Sequence, residues 1–543
     1  MTKLPAVVAV CMTAAVVAAA APAAQGRRVL VAVERDVYSP AGSVPSGALP
    51  DGSPTYLVKV PQGQDAEAYA RRLSRRPHVL AAQVNHALRL RAAQSGAAGC
   101  EPKPDPAIRS IAIATNSDLA DVGGPTRPIA ILDTGIDPSV AELAGRVLPD
   151  HDVVGGFTVP DQDGHGTEVA AVAAGAVGAA GGMRGVSPTS PVFSVRIFNS
   201  TGNSSSDIVV KAITAAVEGG AGVINISAAG AIADATPADN RVLTVAIAQA
   251  FNAGIMVVAP SGNEGKTQAD APGAYPHVLT AGSGTALGGR DLFSNSGPWV
   301  DLLSVGTDVL VPTPASICTT GYVRVKGTSF AAPGVAGAAA ILQAVKPGIK
   351  PQQLFDLVRH AATDVGLSGW DPDSGFGFLN VLDSMGAATP PSLGNEVDDD
   401  IVFAKRKPVV KLKVGKARTI KDSLSPAKDN TDVFRITLKK GEAISANVTT
   451  KVADALFSVS LYDRTSGVMD LTNDVTKHVL ADSGGLSSTA FMNKRVKKGG
   501  TYYIAVETPD TLQDDTDALP PDQAYSLKLK RQKALKKKKA KKK

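Results

Sequence analysis

Gly327-Thr328-Ser329-Phe330-Ala331-Ala332-Pro333-Gly334-Val335-Ala336-Gly337 decides how this chain is read. The run continues through Ala338-Ala339-Ala340-Ile341-Leu342 to about Ala344 without a polar face. A helix that is apolar all round has to be buried in the middle of a large domain. Pro333 is expected in the first turn, where a missing N–H costs little. Ser329 then stands at the positive end of a buried helix dipole, a position suited to a nucleophile that develops a neighbouring oxyanion. A lone serine before a helix is ordinarily only an N-cap. The residues upstream decide between the two.

Outward from that helix, residues 101–388 alternate apolar strand-like runs with Ala-rich helical runs. Strands are expected at Ile129–Leu132, Val192–Ile197, Val223–Ile226 and Ile255–Ala259, and helices at Thr167–Ala176, Ser206–Glu218, Asp239–Asn252 and Gly334–Ala344. Such alternation predicts an α/β domain with a mostly parallel sheet between helices. Residues 24–98 form a smaller α+β unit, with a strand at Thr55–Val60, a helix at Asp65–Arg75 and further strand at Val79–Leu90. After a linker at 389–407, the period of residues 408–530 changes to two. Phe434/Ile436/Leu438, Ile444/Ala446/Val448, Phe457/Val459/Leu461 and Tyr502/Ile504/Val506 each alternate with other residues, the pattern of a β-sandwich.

The 543 residues exceed one core, and 44% apolar with 20% charged residues is a globular composition. The net charge of +6 misleads: 11 Lys and Arg and no acid follow from Lys528, and without them the chain carries −5. No specific nucleic-acid partner is expected from such a body, and residues 531–543 read as a disordered Lys-rich tail that could attract anionic cell-wall polymers. Residues 1–23 combine Lys3, the apolar run Val7–Ala21 and the small-residue end Ala21-Pro22-Ala23, a signal for secretion. Cys11 lies within it. Cys100 and Cys318 remain, as a disulfide of an oxidising compartment or as two buried thiols.

Three chemically capable residues lie at element ends in the α/β region: Asp133 after a strand, and His165 and Ser329 before helices. Strand carboxyl ends and helix starts share one rim of such a sheet, where ligands bind. There a carboxylate can hold the imidazole tautomer, and the imidazole can take the hydroxyl proton and return it to a leaving amine. Asn263, in Ser261-Gly262-Asn263-Glu264-Gly265 just after a strand, is the candidate donor to the oxyanion, beside the Ser329 backbone N–H.

With Gly-Thr following His165 and preceding Ser329, the segments Asp133-Thr-Gly, His165-Gly-Thr, Gly327-Thr-Ser and Ser261-Gly-Asn-Glu-Gly resemble the subtilisin-like (subtilase) serine peptidases. The resemblance runs from about Ile129 to Val381. It implies a secreted endopeptidase of protein and peptide substrates, with catalytic Asp133, His165 and Ser329 and Asn263 in the oxyanion hole. It implies that residues 24–98 are a propeptide acting as inhibitor, and that the C-terminal unit is of the pre-peptidase C-terminal type. A monomeric, cofactor-free protein is likewise implied. Ca²⁺ is common in the family, but Asp161, Asp163, Asp371 and Asp373 lack a loop-ligand spacing, so no metal is assigned.

The resemblance further places Ser227, Ala228 and Ala229 on an edge pairing with substrate, with Gly262 beside them; the family usually has Ser-Leu-Gly there. Asp270 falls near the pocket for the side chain preceding the cleaved bond and would favour Arg or Lys. Glu168 replaces a more usual second His, in a helix turn whose dipole favours an acid. Two rivals stand beside this reading. An aspartic peptidase would pair Asp133-Thr-Gly with Asp482-Ser-Gly, but Asp482 lies in the β unit with no duplicated lobe around it. A catalytically silent adhesion or scaffold protein would keep the fold alone.

Overall fold

The computed structural model describes residues 28–35, 39–76, 78–90, 99–104, 114–115, 117, 126–155, 160–177, 182–227, 241–267, 270–284, 289–389, 410–424, 431–452, 455–462, 479–483, 487–508 and 523–533. The expected signal, most of the linker and nearly all of the tail lie outside them.

The first unit holds β1 (Arg28–Val33), β2 (Ser43–Ala48), β3 (Pro54–Lys59), α1 (Ala66–Ser74), β4 (Val79–Val84) and the short β5 (Ala87–Arg89). The first four strands pair antiparallel in the order β2-β3-β1-β4. Asp65 starts α1 by accepting the Ala68 N–H at 2.8 Å. Because strand side chains alternate, Val29, Val31 and Val33 pack with Ala70 and Leu73 of α1, while Leu30 and Ala32 join the core of the large domain.

That domain runs through β6 (Ile129–Asp133), β7 (His151–Asp152), α2 (His165–Ala174), β8 (Val192–Arg196), β9 (Asn203–Ser205), α3 (Ser206–Glu218), β10 (Val223–Asn225), α4 (Arg241–Asn252), β11 (Met256–Pro260), β12 (Val278–Gly284) and β13 (Leu302–Val305). Then follow the antiparallel hairpin β14 (Val309–Pro312) and β15 (Tyr322–Val325), and helices α5 (Thr328–Val345), α6 (Pro351–His360) and α7 (Val381–Gly386). Seven strands form one parallel sheet, ordered β13-β12-β11-β10-β6-β8-β7, as the alternating pattern predicts. Apart from β7, its strands are buried along their whole length because both faces are covered. Helices α2 and α5 pack on each other and on the sheet; α3 and α4 form a second pair that also receives the first unit.

α5 begins at Thr328, earlier than the expected Gly334, so Ser329 lies in its first turn and Pro333 one turn further in. Proline has no N–H for the carbonyl four residues back, which is that of Ser329. The Ser227 hydroxyl takes it instead, at 2.9 Å. Every residue from Thr328 to Leu342 is buried, so a helix long and apolar enough to cross a membrane serves here as a core element.

The first unit is joined to this domain at several points, among them Leu243 N–H to Gln83 Oε1 at 2.9 Å and the Thr214 hydroxyl to the Ala48 carbonyl at 2.7 Å. β5 pairs antiparallel with β9, and Asn85 exchanges two hydrogen bonds with Asp207 at the start of α3, giving Nδ2–H to Oδ1 at 2.8 Å and accepting N–H at 3.0 Å. The segment after the unit is fastened separately. Cys100 and Cys318 form a disulfide with Cα atoms 5.5 Å apart, Glu101 N–H reaches Tyr322 O at 2.8 Å, and Arg324 Nε binds Glu101 at 2.7 Å.

Beyond residue 410 the chain forms β16 (Ala417–Leu424), β17 (Thr431–Leu438), β18 (Ala443–Thr450), β19 (Ser458–Tyr462), β20 (Val479–Ala481), β21 (Thr489–Arg495), β22 (Gly500–Glu507) and β23 (Gln523–Gln532). They make two antiparallel sheets, β16-β23-β18-β21 and β17-β22-β19-β20, around a core of their own. Phe434, Ile436, Ile444, Ala446, Val459, Leu461, Ile504 and Val506, the period-two positions, fill that core.

Candidate active site

Asp133 is the last residue of β6 and fully buried. Its Oδ1 accepts the Thr134 N–H at 2.7 Å and faces His165 Nδ1 at 2.8 Å. His165 is the first residue of α2, and three features of the sequence put it there. Gly164 takes a positive φ of 96° to turn the chain into the helix. Asp161 accepts from Asp163 N, Gly164 N and Thr167, shaping the approach. Gly166 lets the helix meet β6 closely: a Cβ there would lie 2.2 Å from the Gly135 carbonyl oxygen, and Thr134 Oγ1 accepts the Gly166 N–H at 2.9 Å.

Asn263 sits in the turn after β11. Its Oδ1 accepts both the Thr328 N–H and the Thr328 hydroxyl, each at 2.8 Å, while Thr328 Oγ1 accepts the Gly262 N–H at 3.2 Å. With Oδ1 spent on α5, Nδ2 is left toward the helix start, 3.5 Å from where a Gly327 Cβ would stand, and donates to nothing among the described residues. The Ser329 N–H, in the first turn, has no intrahelical acceptor. Both groups lie near one point at the start of α5, 3.5 Å (Asn263 Nδ2) and 3.8 Å (Ser329 N) from where a Gly327 Cβ would stand.

The structure joins Asp133 to His165 and Asn263 to α5, but it closes no hydrogen bond between Ser329 Oγ and His165. His165 Nε2 is buried without a partner among the described residues, and the ring of Phe330, next to Ser329, lies 5.4 Å from the imidazole. Burial disfavours charge on His165. The carboxylates around it, Asp133 before Glu168 and Asp163, outweigh that and hold its pKa at about 9. Burial pushes Glu168 up to about 8, against the pull of His165 and of the Thr313 hydroxyl.

Ser227, expected at a substrate edge, is 1% exposed; its hydroxyl is held between Asn225 Nδ2 and the Ser329 carbonyl. Its side chain supports α5. Ala228 and Ala229 lie outside the described residues. Asp270 is beside Gly262 but buried, accepting from Asn295 Nδ2 at 3.3 Å, and a Cβ on Gly262 would come within 2.3 Å of both groups. Among the described residues no three His, Cys, Asp or Glu side chains gather as metal ligands. Asp161 is spent on the loop before α2, Asp371 on Asp373 N and Ser374, and Asp373 on Arg290. Reading the sequence missed Thr328, whose signal was its place in Gly-Thr-Ser, and Thr134, which sits in Asp-Thr-Gly; both hydroxyls brace the neighbouring motif.

The profile of the Subtilase family matches residues 126–377. The cell wall-associated protease of Bacillus subtilis (strain 168) is 27% identical over 439 residues, which is 75% of this chain and 46% of that protein. The thermophilic serine proteinase of Bacillus sp. (strain AK1) is 34% identical over 221 residues, 40% of this chain and 53% of that protein. The chain thus spans about half the length of these two relatives. Thermitase of Thermoactinomyces vulgaris is 33% identical over 226 residues, 41% of this chain but 77% of thermitase. With a parallel sheet of this order, the paired Asp133 and His165, and a relative matched over three quarters of its length, the chain belongs to the subtilase family.

Proposed function

We propose that the chain is a secreted serine endopeptidase in which Ser329 attacks the scissile carbonyl. His165 takes the hydroxyl proton and returns it to the leaving amine, Asp133 fixes the imidazole tautomer and stabilises the imidazolium, and Asn263 Nδ2 with the Ser329 N–H binds the oxyanion. The observation that carries this reading is the division of labour at Asn263: its oxygen is anchored to Thr328 and its amide is left free to donate. Hydrogen bonds between nucleophile and base often tighten only with substrate present, so the open Ser329–His165 contact is compatible with it.

In this reading residues 1–23 direct secretion, and residues 24–98 are a propeptide that inhibits the enzyme. The pairing of β5 with β9 and the hydrogen bond from Leu90 N–H to Gly202 O, 2.7 Å, support a unit that leads the chain across the domain surface. Asp270, behind the wall formed by Gly262, favours Arg or Lys before the cleaved bond, and the Lys-rich tail attracts anionic wall polymers. A silent scaffold is the second reading, favoured by the unbonded Nε2 of His165 alone. An active-site phosphonate separates them: it should label Ser329 covalently in the secreted protein and stop peptide hydrolysis. A correctly folded protein that takes no label would sink the enzymatic reading.

A further inference from the structure

Glu168 is a buried acid for which the proposed reaction has no role. It lies three residues after His165 on α2, a spacing that puts both side chains on one face of the helix. It is 7% exposed, and one hydrogen bond is recorded for its carboxyl, from Thr313 Oγ1 to Oε1 at 2.8 Å. Among the described residues it makes no ion pair with Lys or Arg. A carboxylate buried on one hydroxyl donor is costly unless a cation stands nearby or a proton is kept. His165 is the group nearby that can supply the cation.

We infer that Glu168 is a positioning residue coupled through space to His165, a second acid that decides the pH at which the imidazole becomes a base. The groups facing the pair are Asp133 at the end of β6, Asp161 and Asp163 in the loop before α2, and Thr313 after β14; Phe330 covers the ring from α5 without charge. The ionisable groups named as acting on His165 are all acids, while Arg196, beside Asp133 in the sheet, is turned to the Pro160 carbonyl before the Asp161 loop. No proton passes between Glu168 and His165. In the attack step the Ser329 proton moves to His165 Nε2, and the imidazolium so formed favours Glu168 as a carboxylate. In the resting enzyme the neutral imidazole favours Glu168 as the acid. The two ionisations therefore belong to the pair, and protons leave it in macroscopic steps.

The consequence is a distinctive acid limb. As pH rises, some of the first proton lost comes from Glu168 rather than His165, so the neutral imidazole arrives late and over a broad range. This rests on the peptidase reading above, and the test keeps the two apart. The full secreted chain, Glu168→Gln and Thr313→Val are assayed for kcat/KM on a chromogenic peptide across pH. The His165 Nδ1–H resonance is followed in the same samples by NMR. Glu168→Gln should sharpen the limb to a single proton and move its midpoint down by about half a pH unit or more. One pH unit below the wild-type midpoint that corresponds to about a threefold gain in relative kcat/KM. Thr313→Val, which removes the donor stabilising the carboxylate, should shift it the same way by less. The NMR midpoint should follow both. A wild type that hydrolyses peptide while both variants keep its limb and its NMR titration would overturn the inference and leave the peptidase standing. A wild type without hydrolysis would instead count against the peptidase reading, while the NMR comparison still decides the coupling.

Discussion

The two helices that bring side chains to the rim begin alike and are charged in opposite ways. α2 and α5 are both buried, both follow a glycine of positive φ (96° at Gly164, 151° at Gly327), and neither has a side-chain cap. Around the start of α2 stand Asp133, Asp161, Asp163 and Glu168. The first turn of α5 holds no acid at all, and the polar contact it receives is Asn263. A helix N-terminus attracts negative charge. In α2 that attraction is met by acids of the protein, leaving a site that favours a cation on His165. In α5 no acid meets it; only the neutral Asn263 oxygen does, and in the proposed reaction the remainder would serve an anion formed there. One rim thus offers two polarities, which is what the proposed transfer of a proton from a hydroxyl to an imidazole with an oxyanion forming beside it would use.

The largest break in this contrast is Ser329→Ala, which should lower kcat/KM for a peptide substrate by about 10⁴-fold or more and leave residues 24–98 attached in the secreted protein. Mass spectrometry of that protein reads the second effect. Asn263→Ala removes the anion donor and should cost ~10²–10³ in kcat, a range that comes from a subtilisin and so from this chain's own family. KM should change little. Thr328→Val keeps the backbone N–H bond to Asn263 Oδ1 but removes the hydroxyl's bond to it and the acceptor of the Gly262 N–H; an amide held by one bond fewer should cost up to about tenfold in kcat. If Thr328→Val is silent, the Thr328 N–H alone suffices to hold the amide.

The smallest effect sharpens the α2 side. Glu168 and His165 both have folded pKa values above their ordinary ones, at about 8 and about 9 against 4.5 and 6.5. Each group then binds protons more tightly in the folded state. The stability each contributes is complete below its ordinary value and is lost as pH rises, from 4.5 to about 8 for Glu168 and from 6.5 to about 9 for His165. Glu168→Gln should flatten the fall of Tm between pH 5 and 8. An equally steep fall in the variant would place the loss elsewhere.

Much of this was legible from residues alone. Strands such as Met256–Pro260 and helices such as Ser206–Glu218 announce themselves by unbroken apolar runs and helical period, and the sandwich by alternation at Phe434/Ile436/Leu438. What escaped was the tertiary reuse of polar groups. Pro333 looked harmless in a first turn, yet it lies inside α5, and its missing donor is why Ser227 is buried on the Ser329 carbonyl. A period cannot reveal that, because the partner is 102 residues away. Likewise Asp161 read as a scattered acid, and its work on the loop before His165 depends on a fold that brings Thr134 and Thr167 to it.

The stitch at Cys100 has a mechanical consequence. Ahead of it, the first unit is held to the body by a short strand pair, side-chain and backbone hydrogen bonds and apolar contact; behind it, the chain is welded by a covalent bond to Cys318, ahead of β15, and by a hydrogen bond from the very next residue to Tyr322 of β15. A backbone cut anywhere between Leu90 and Cys100 would free the first unit to come off without unravelling the seam it leaves behind.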